Sequence, residues 1–163
     1  MLRKSFPFCS TNIMNQRLNL PDFELKISER EGKRQLWDPI RMKYVAITPE
    51  EIVRQGFVSF LIGEKKYPAS HISNEQAIVL NGMNRRCDSV VYDKNGCPKV
   101  IIEYKAPTVV LSQKVFDQIS KYNFVMHVDY LIVSNGMNHY CVKMNYDNCT
   151  YSFLTDIPYY NEL

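Results

Sequence analysis

The stretch RRCDSVVYDKNGCPKVIIEYK, at residues 85–105, decides the fold that this sequence predicts. It contains two runs rich in β-branched and apolar residues, CDSVVY and KVIIEYK, separated by a polar segment with the pair Asn95-Gly96. An Asn-Gly pair between two such runs is a strong signal for a two-residue β-hairpin loop. The runs also carry an Asp, a Glu and a Lys beside their apolar positions, which is unusual for strands that form a core.

The register of this hairpin predicts where the three charges lie. A two-residue loop at Asn95-Gly96 places Asp88 directly opposite Glu103, and Lys105 projects from the same face as Glu103 because side chains alternate along a strand. A longer turn would shift this register. Opposed carboxylates repel each other unless a cation lies between them, and Mg²⁺ often binds one or two carboxylates together with a substrate phosphate. The ammonium group of Lys105 would then stabilise charge on that phosphate or orient the attacking water.

The same spacing has a plainer interpretation. Asp88 could end a strand, and Glu103 and Lys105 could form a surface ion pair that contributes about 0 to 1 kcal/mol. An Asp followed later by Glu-x-Lys is common by chance, so the hairpin alone does not decide between a metal site and a solvated surface. The elements on either side of the hairpin therefore matter.

Two helices and further strands flank the hairpin. Thr48 is a good N-cap, Pro49 suits the first helical position and Glu51 completes a capping box, so a helix begins here. The strand QAIVLN precedes the hairpin, and the helix LSQKVFDQISKYNFVM and the buried strand DYLIVS follow it. The order is helix-strand-strand-strand-helix-strand, with a helical crossover to the last strand. This order predicts an α/β fold in which a mixed central β-sheet carries a helix on each face.

Length and composition exclude several classes of protein. The 163 residues suffice for one domain, with a predicted core at about residues 45–135. Residues 1–22 form a polar N-terminal extension, and the sequence leaves open whether it is mobile. No apolar run approaches the roughly 20 residues of a membrane helix and no signal peptide is evident, so we expect a cytoplasmic protein with no membrane partner. Five scattered cysteines without a CxxC pair argue against a zinc site or a disulfide framework.

Four segments, in this order along the chain, resemble a known family. They are DPIRMKYVAITPEEIVRQ, RRCDSVVYDKNGCPKVIIEYKAP, FDQISKYN and YLIVSNG. The Asp followed by Glu-x-Lys on a hairpin is similar to the PD-(D/E)xK nuclease superfamily, whose restriction-endonuclease-like core has the same order of helices and strands. Together the segments most closely resemble the N-terminal nuclease-like domain of the R subunit of type I restriction enzymes, over roughly residues 23–145. Cys87 stands where the superfamily's name has Pro.

The resemblance implies roles for individual residues of the hairpin. Asp88 and Glu103 would be ligands of Mg²⁺, for which Mn²⁺ can substitute, and the carbonyl oxygen of Tyr104 would complete the site. Lys105 would be the catalytic lysine. Glu51, in the first helix, would be a further catalytic acid that holds a metal-bound water, although a capping-box Glu explains the same residue without chemistry.

The second helix contributes a further motif. Gln118 and Tyr122 are four residues apart, so they lie on one face of the helix. This spacing matches the QxxxY motif of the superfamily branch that includes RecB-type nucleases. The resemblance implies that both residues bind substrate, by contacting a phosphate or by orienting Lys105, whereas an ordinary polar helix edge would also explain them.

The function that the resemblance implies is Mg²⁺-dependent, restriction-type hydrolysis of DNA phosphodiester bonds by an endonuclease. The R subunit carries a helicase-like translocase after this domain, and this sequence has no P-loop motif, so we expect a domain that lacks the motor. The alternative is a catalytically silent module that binds nucleic acid or a partner within a restriction or repair assembly, and RNA or branched DNA is a further possible substrate. Expected partners are DNA, a second copy in a homodimer, or other restriction subunits.

Overall fold

The structure is a computed structural model that describes residues 7–9, 17–30 and 32–163. The prediction of a mobile extension at residues 1–22 falls largely on residues 1–6 and 10–16, which lie outside the described residues. No helix in the described ranges is both long enough and apolar enough to cross a membrane. The single domain and the cytoplasmic location stay predictions.

The N-terminal part of the described chain forms a four-stranded antiparallel sheet. Its strands follow one another in the order β1-β2-β3-β4. They are β1 (Pro7–Cys9), β2 (Glu24–Arg30), β3 (Lys33–Asp38) and β4 (Lys43–Ala46). The turn between β3 and β4, at residues 39–42, is important for the site because it carries Arg41.

The rest of the chain forms a mixed sheet with two helices, as predicted, and this sheet has six strands. The helices are α1 (Pro49–Gly63) and α2 (Gln113–Met126). The strands lie in the order β10-β9-β8-β7-β6-β5, and β7 and β8 are parallel while the other described pairs are antiparallel. These strands are β5 (Ile72–Leu80), β6 (Met83–Tyr92), β7 (Pro98–Tyr104), β8 (Tyr130–Ser134), β9 (His139–Asn145) and β10 (Thr150–Leu154).

One helix packs against each face of this sheet, and strand β7 shows why both faces are apolar. Ile102 of β7 packs in one cluster with Phe57 of α1, whereas its neighbour Ile101 packs in another cluster with Ile119 of α2. Successive side chains of a strand point to opposite faces, so a strand buried on both faces needs an unbroken apolar run. The run VII in KVIIEYK meets this requirement, and Glu103 continues it on the face toward α2.

The hairpin between β6 and β7 has the predicted register but not the predicted loop. The two-residue loop at Asn95-Gly96 is wrong: the N–H of Asp93 donates to the carbonyl of Cys97 at 2.8 Å, and the Asp93 carboxylate accepts from two backbone N–H groups of the turn. This turn is one residue longer than predicted. A register shift next to Tyr92 compensates for the extra residue, so Ser89 pairs with Ile102. This pairing ends at Ser89 and Ile102, and beyond it the backbone N–H of Tyr104 donates to the side chain of Asp88.

The hairpin between β5 and β6 is longer than the sequence pattern indicated. The strand predicted at QAIVLN begins at Ile72 and pairs with β6 as far as Leu80 and Met83. The two residues between them, Asn81 and Gly82, have φ values of 51° and 72°, the left-handed conformation that a tight two-residue hairpin turn requires. This long ribbon carries Asp88 and fixes it beside β7.

Candidate active site

Asp88 and Glu103 lie on the neighbouring strands β6 and β7, and each is held by specific donors. One oxygen of Asp88, Oδ2, accepts a hydrogen bond from the backbone N–H of Tyr104 at 2.9 Å, which ties the carboxylate to β7. Glu103 is only 3% exposed. Its Oε1 accepts from the ammonium of Lys105 and from the amide of Gln118, both at 2.7 Å. Two carboxylates thus stand at adjacent strand positions, one half-buried and one buried.

Lys105 and the motif of the second helix complete the same cluster. The backbone N–H of Lys105 donates to the carbonyl of Ser134 on β8 at 2.9 Å, which fixes the residue just beyond the end of β7. Its Nζ lies 2.7 Å from Glu103 and 3.3 Å from Oε1 of Gln118. The amide of Gln118 also lies 3.4 Å from the Tyr122 hydroxyl. The structure therefore brings together the residues predicted at the hairpin and those predicted on α2.

Glu51 lies at the start of α1, where the sequence left two interpretations open. Its backbone N–H donates to the Thr48 hydroxyl at 3.1 Å, as an N-cap requires. Its carboxylate accepts hydrogen bonds from Arg41 at 2.7 Å, from Arg54 at 3.0 Å and from Gln55 at 3.1 Å. The carboxylate of Glu51 is therefore engaged by two guanidinium groups, a role that neither interpretation included.

Comparison with protein families identifies the chain. Residues 49–158 match the family described as the type I restriction enzyme R protein N terminus, or HSDR_N. The chain belongs to this family. The matched residues run from the start of α1 to beyond β10 and so include both helices and the whole six-stranded sheet. No curated protein matches the chain significantly in sequence.

A solved structure has the same fold as this HSDR_N chain. It is the fragment structure of a protein assigned as an HsdR subunit of a type I restriction enzyme from Vibrio vulnificus YJ016. The TM-score is 0.54, with 16% sequence identity over 70% of this chain. The similar region makes up 24% of the Vibrio chain, so this HSDR_N chain spans about a quarter of the length of its structural relative.

Burial raises the pKa values of both carboxylates of this HSDR_N domain. Burial, and then the charge of Asp88, raises the pKa of Glu103 to about 7, against the opposing effects of Lys105 and Gln118. Burial likewise raises the pKa of Asp88, although the Tyr104 N–H and Arg54 favour its charged form. A cation bound between the two groups would favour their ionised forms. The pair therefore has the electrostatic properties of a cation site.

The donor set fits a hard divalent cation that keeps several other ligands. Within the described ranges, no three His, Cys, Asp or Glu side chains gather around a common point. The HSDR_N chain would therefore supply two carboxylates, Asp88 and Glu103, and water, backbone or phosphate oxygens would supply the rest. This is the way in which proteins usually bind Mg²⁺. The predicted contribution of the Tyr104 carbonyl stays a prediction.

Sequence reasoning missed Arg41 and Glu75, which join Glu51 in the HSDR_N structure. Arg41 Nη1 lies 2.9 Å from the Glu75 carboxylate and Nη2 lies 2.7 Å from Glu51, and Arg41 also pairs with Asp38. Glu75 has a φ of 54° within β5, an uncommon conformation for a residue other than glycine. No local pattern indicated these contacts, because they join a turn, a helix and a strand that are far apart in sequence.

Proposed function

We propose that this domain is a metal-dependent nuclease of the PD-(D/E)xK type that hydrolyses DNA phosphodiester bonds within a type I restriction system. The observation that carries the proposal is the arrangement around Glu103. Its buried carboxylate lies beside Asp88 and accepts hydrogen bonds from Lys105 and Gln118. Membership of the HSDR_N family supports the restriction role.

Asp88 and Glu103 are the proposed ligands of Mg²⁺, with Mn²⁺ as a substitute. When bound, the cation would stabilise negative charge on the phosphate during hydrolysis. The structure of the protein around the ligands supports this role: the Tyr104 N–H holds Asp88, and Lys105 and Gln118 hold Glu103. Ligands that are fixed by their own hydrogen-bond partners need little reorganisation when a cation binds.

Lys105 is the proposed catalytic lysine. Its side chain is 24% exposed, so its ammonium group can reach a bound phosphate while it remains beside Glu103. A positive charge at this point would stabilise the charge that develops on phosphate oxygens in the transition state. Gln118 orients the ammonium through its Oε1 atom, and Tyr122 in turn contacts Gln118. The proposed substrate-binding role of the α2 motif is therefore partly exerted through Lys105.

The proposed partners are DNA and other subunits of a restriction system, and a homodimer is the proposed arrangement for cleavage of both strands. Lys105→Ala provides the test of the enzymatic role, with Lys99→Ala as the matched control. Lys99 lies at the opposite end of β7, where it pairs with Asp129 at 2.7 Å. The two variants each remove one lysine, at opposite ends of β7, but only Lys105 lies in the proposed site.

The experiment incubates each protein with linear, supercoiled, single-stranded and branched DNA and with RNA, with and without Mn²⁺. We expect cleavage of DNA that requires Mn²⁺, falls at least 100-fold in Lys105→Ala and persists in Lys99→Ala. Cleavage that survives in Lys105→Ala, Asp88→Ala and Glu103→Ala would contradict the assignment. Salt-dependent DNA binding without turnover would instead indicate a module that only binds nucleic acid.

A further inference from the structure

Arg54 of α1 lies between the acidic residues of the helix and those of the sheet. Its side chain is 8% exposed. Nη1 lies 3.0 Å from Glu51 and 3.4 Å from Glu75, and Nη2 lies 3.5 Å from Oδ1 of Asp88. The Nε atom is buried and has no hydrogen-bond partner among the described residues. A buried guanidinium with an unsatisfied donor is costly unless nearby anions compensate for it.

Arg41 closes the other side of this acidic group. Its guanidinium lies 2.7 Å from Glu51 and 2.9 Å from Glu75, so each of these two carboxylates is shared by Arg41 and Arg54. The remaining oxygen of Glu51, Oε1, accepts from Gln55 at 3.1 Å. Both oxygens of Glu51 therefore already have donors, whereas Oδ1 of Asp88 has only the longer 3.5 Å contact with Arg54.

The balance of charge in the connected group leaves room for one divalent cation. Five carboxylates face three cationic side chains that are at least three-quarters buried. The excess is two negative charges, which one divalent cation would neutralise. Arg86 also approaches Glu75, at 3.4 Å, but it is 72% exposed and so is largely screened by solvent. The carboxylates are those of Asp38, Glu51, Glu75, Asp88 and Glu103, and the cations are those of Arg41, Arg54 and Lys105.

We propose that Arg54 is a positioning residue that serves as a fixed cation between Glu51 and Asp88, so that the site binds a single divalent cation. This inference rests on the proposed function, in which Asp88 and Glu103 are the ligands. Arg54 occupies the position that a second cation would need in order to contact both Glu51 and Asp88. Glu51 then holds Arg54 in place and does not contact the metal ion or its water.

The test counts the Mn²⁺ ions that bind to the protein without nucleic acid, by electron paramagnetic resonance and isothermal titration calorimetry at pH 8. We expect one Mn²⁺ per chain in the wild type and in Arg54→Lys, which keeps the charge. We expect two in Arg54→Met, because the excess rises to three negative charges, which one divalent cation leaves partly uncompensated, and because Glu51 and Asp88 lose the cation between them. Arg86→Met is the matched control, since it removes a second arginine that contacts Glu75, and it should still bind one.

Circular dichroism shows whether Arg54→Met folds. If it does not fold, Glu51→Gln provides a second test of the proposal. We expect Glu51→Gln still to bind one Mn²⁺, with an affinity that falls less than tenfold, because the substitution removes one negative charge of the group but no ligand. A loss of tenfold or more, the usual effect of removing a group that supports a metal ion, would overturn the inference. So would a folded Arg54→Met variant that binds one Mn²⁺.

The same titrations distinguish failure of this inference from failure of the proposed function. Two Mn²⁺ ions in the wild type would overturn the single-cation inference and leave the nuclease proposal intact, provided that Glu103→Gln abolishes binding. Absence of Mn²⁺ binding in the wild type, or binding that Glu103→Gln leaves unchanged, would contradict the proposed function and with it the role of Arg54.

Discussion

Glu103→Gln in the metal-free protein should raise the free energy of unfolding at alkaline pH. The substitution replaces Oε2 by an amide and keeps Oε1, which is the oxygen that accepts from both Lys105 and Gln118. The variant therefore resembles the protonated form of Glu103 in shape and hydrogen bonding. What it removes is a buried negative charge next to Asp88.

The magnitude follows from the pKa of Glu103, which rises from its ordinary value of 4.5 to about 7 in the folded protein. A difference of one pH unit in pKa corresponds to about 1.4 kcal/mol, so ionised Glu103 destabilises the folded state by about 3 kcal/mol. The folded state holds the proton of Glu103 more tightly than the unfolded state does. The contribution of Glu103 to the free energy of unfolding therefore falls as pH rises from about 4.5 to about 7. We expect equal stability of variant and wild type at pH 4 and a variant more stable by about 3 kcal/mol at pH 8.

The assay is urea denaturation in EDTA between pH 4 and pH 8, followed by the fluorescence of Trp37, the one tryptophan of the chain. Glu64→Gln, at an exposed position after the end of α1, is the control and should change stability by less than about 0.5 kcal/mol throughout. A difference between Glu103→Gln and wild type that does not change with pH would refute the reasoning. A wild type more stable than Glu103→Gln at pH 8 would also refute it, since Lys105 and Gln118 would then outweigh the burial of the charge.

Two further predictions concern backbone geometry and thiol exposure. Gly136→Ala should destabilise the protein by about 2 to 4 kcal/mol in urea denaturation, because its φ is +79° and a Cβ would lie 2.9 Å from Leu18. Gly82→Ala, with a φ of +72° but open space around it, should cost only about 1 to 2 kcal/mol, and equal costs would contradict the steric argument. In native labelling with iodoacetamide at pH 8, read by mass spectrometry, Cys97 should react and Cys87 should not, because Cys87 is buried and burial raises the pKa of its thiol to about 12. Rapid labelling of Cys87 would show that β6 opens readily.

The register of the β6-β7 hairpin was predicted correctly although its loop was not. Asn95-Gly96 indicated where the chain reverses, but the Asp93 carboxylate accepts from backbone N–H groups within the turn and lengthens it. Residues 89–91 of β6 and 100–104 of β7 are buried, Ser89 pairs with Ile102, and an irregularity next to Tyr92 absorbs the extra residue. Burial of both strands therefore determined the register more strongly than the turn did.

The two interpretations of Glu51 show the limit of local patterns. The sequence indicated an N-cap at Thr48, and the structure has it. In the structure Glu51 also pairs with Arg54, three residues further along α1, at 3.0 Å. The sequence did not indicate Arg41, which reaches Glu51 from a turn of the other sheet. The partners of a buried charge depend on which elements pack together, and residue spacing within one element does not report this.

The sequence by itself determined the order of the elements, the cap of α1, the place of the β6-β7 hairpin and the shared face of Gln118 and Tyr122. Each of these follows from periodicity or from contacts between residues close along the chain. Only the tertiary structure decided which groups surround those side chains and how far burial shifts their pKa values. Desolvation and charge pairing depend on the packing of distant segments, so the pKa of Glu103 and the position of Arg54 between two acidic groups arise only when the helices close onto the sheet.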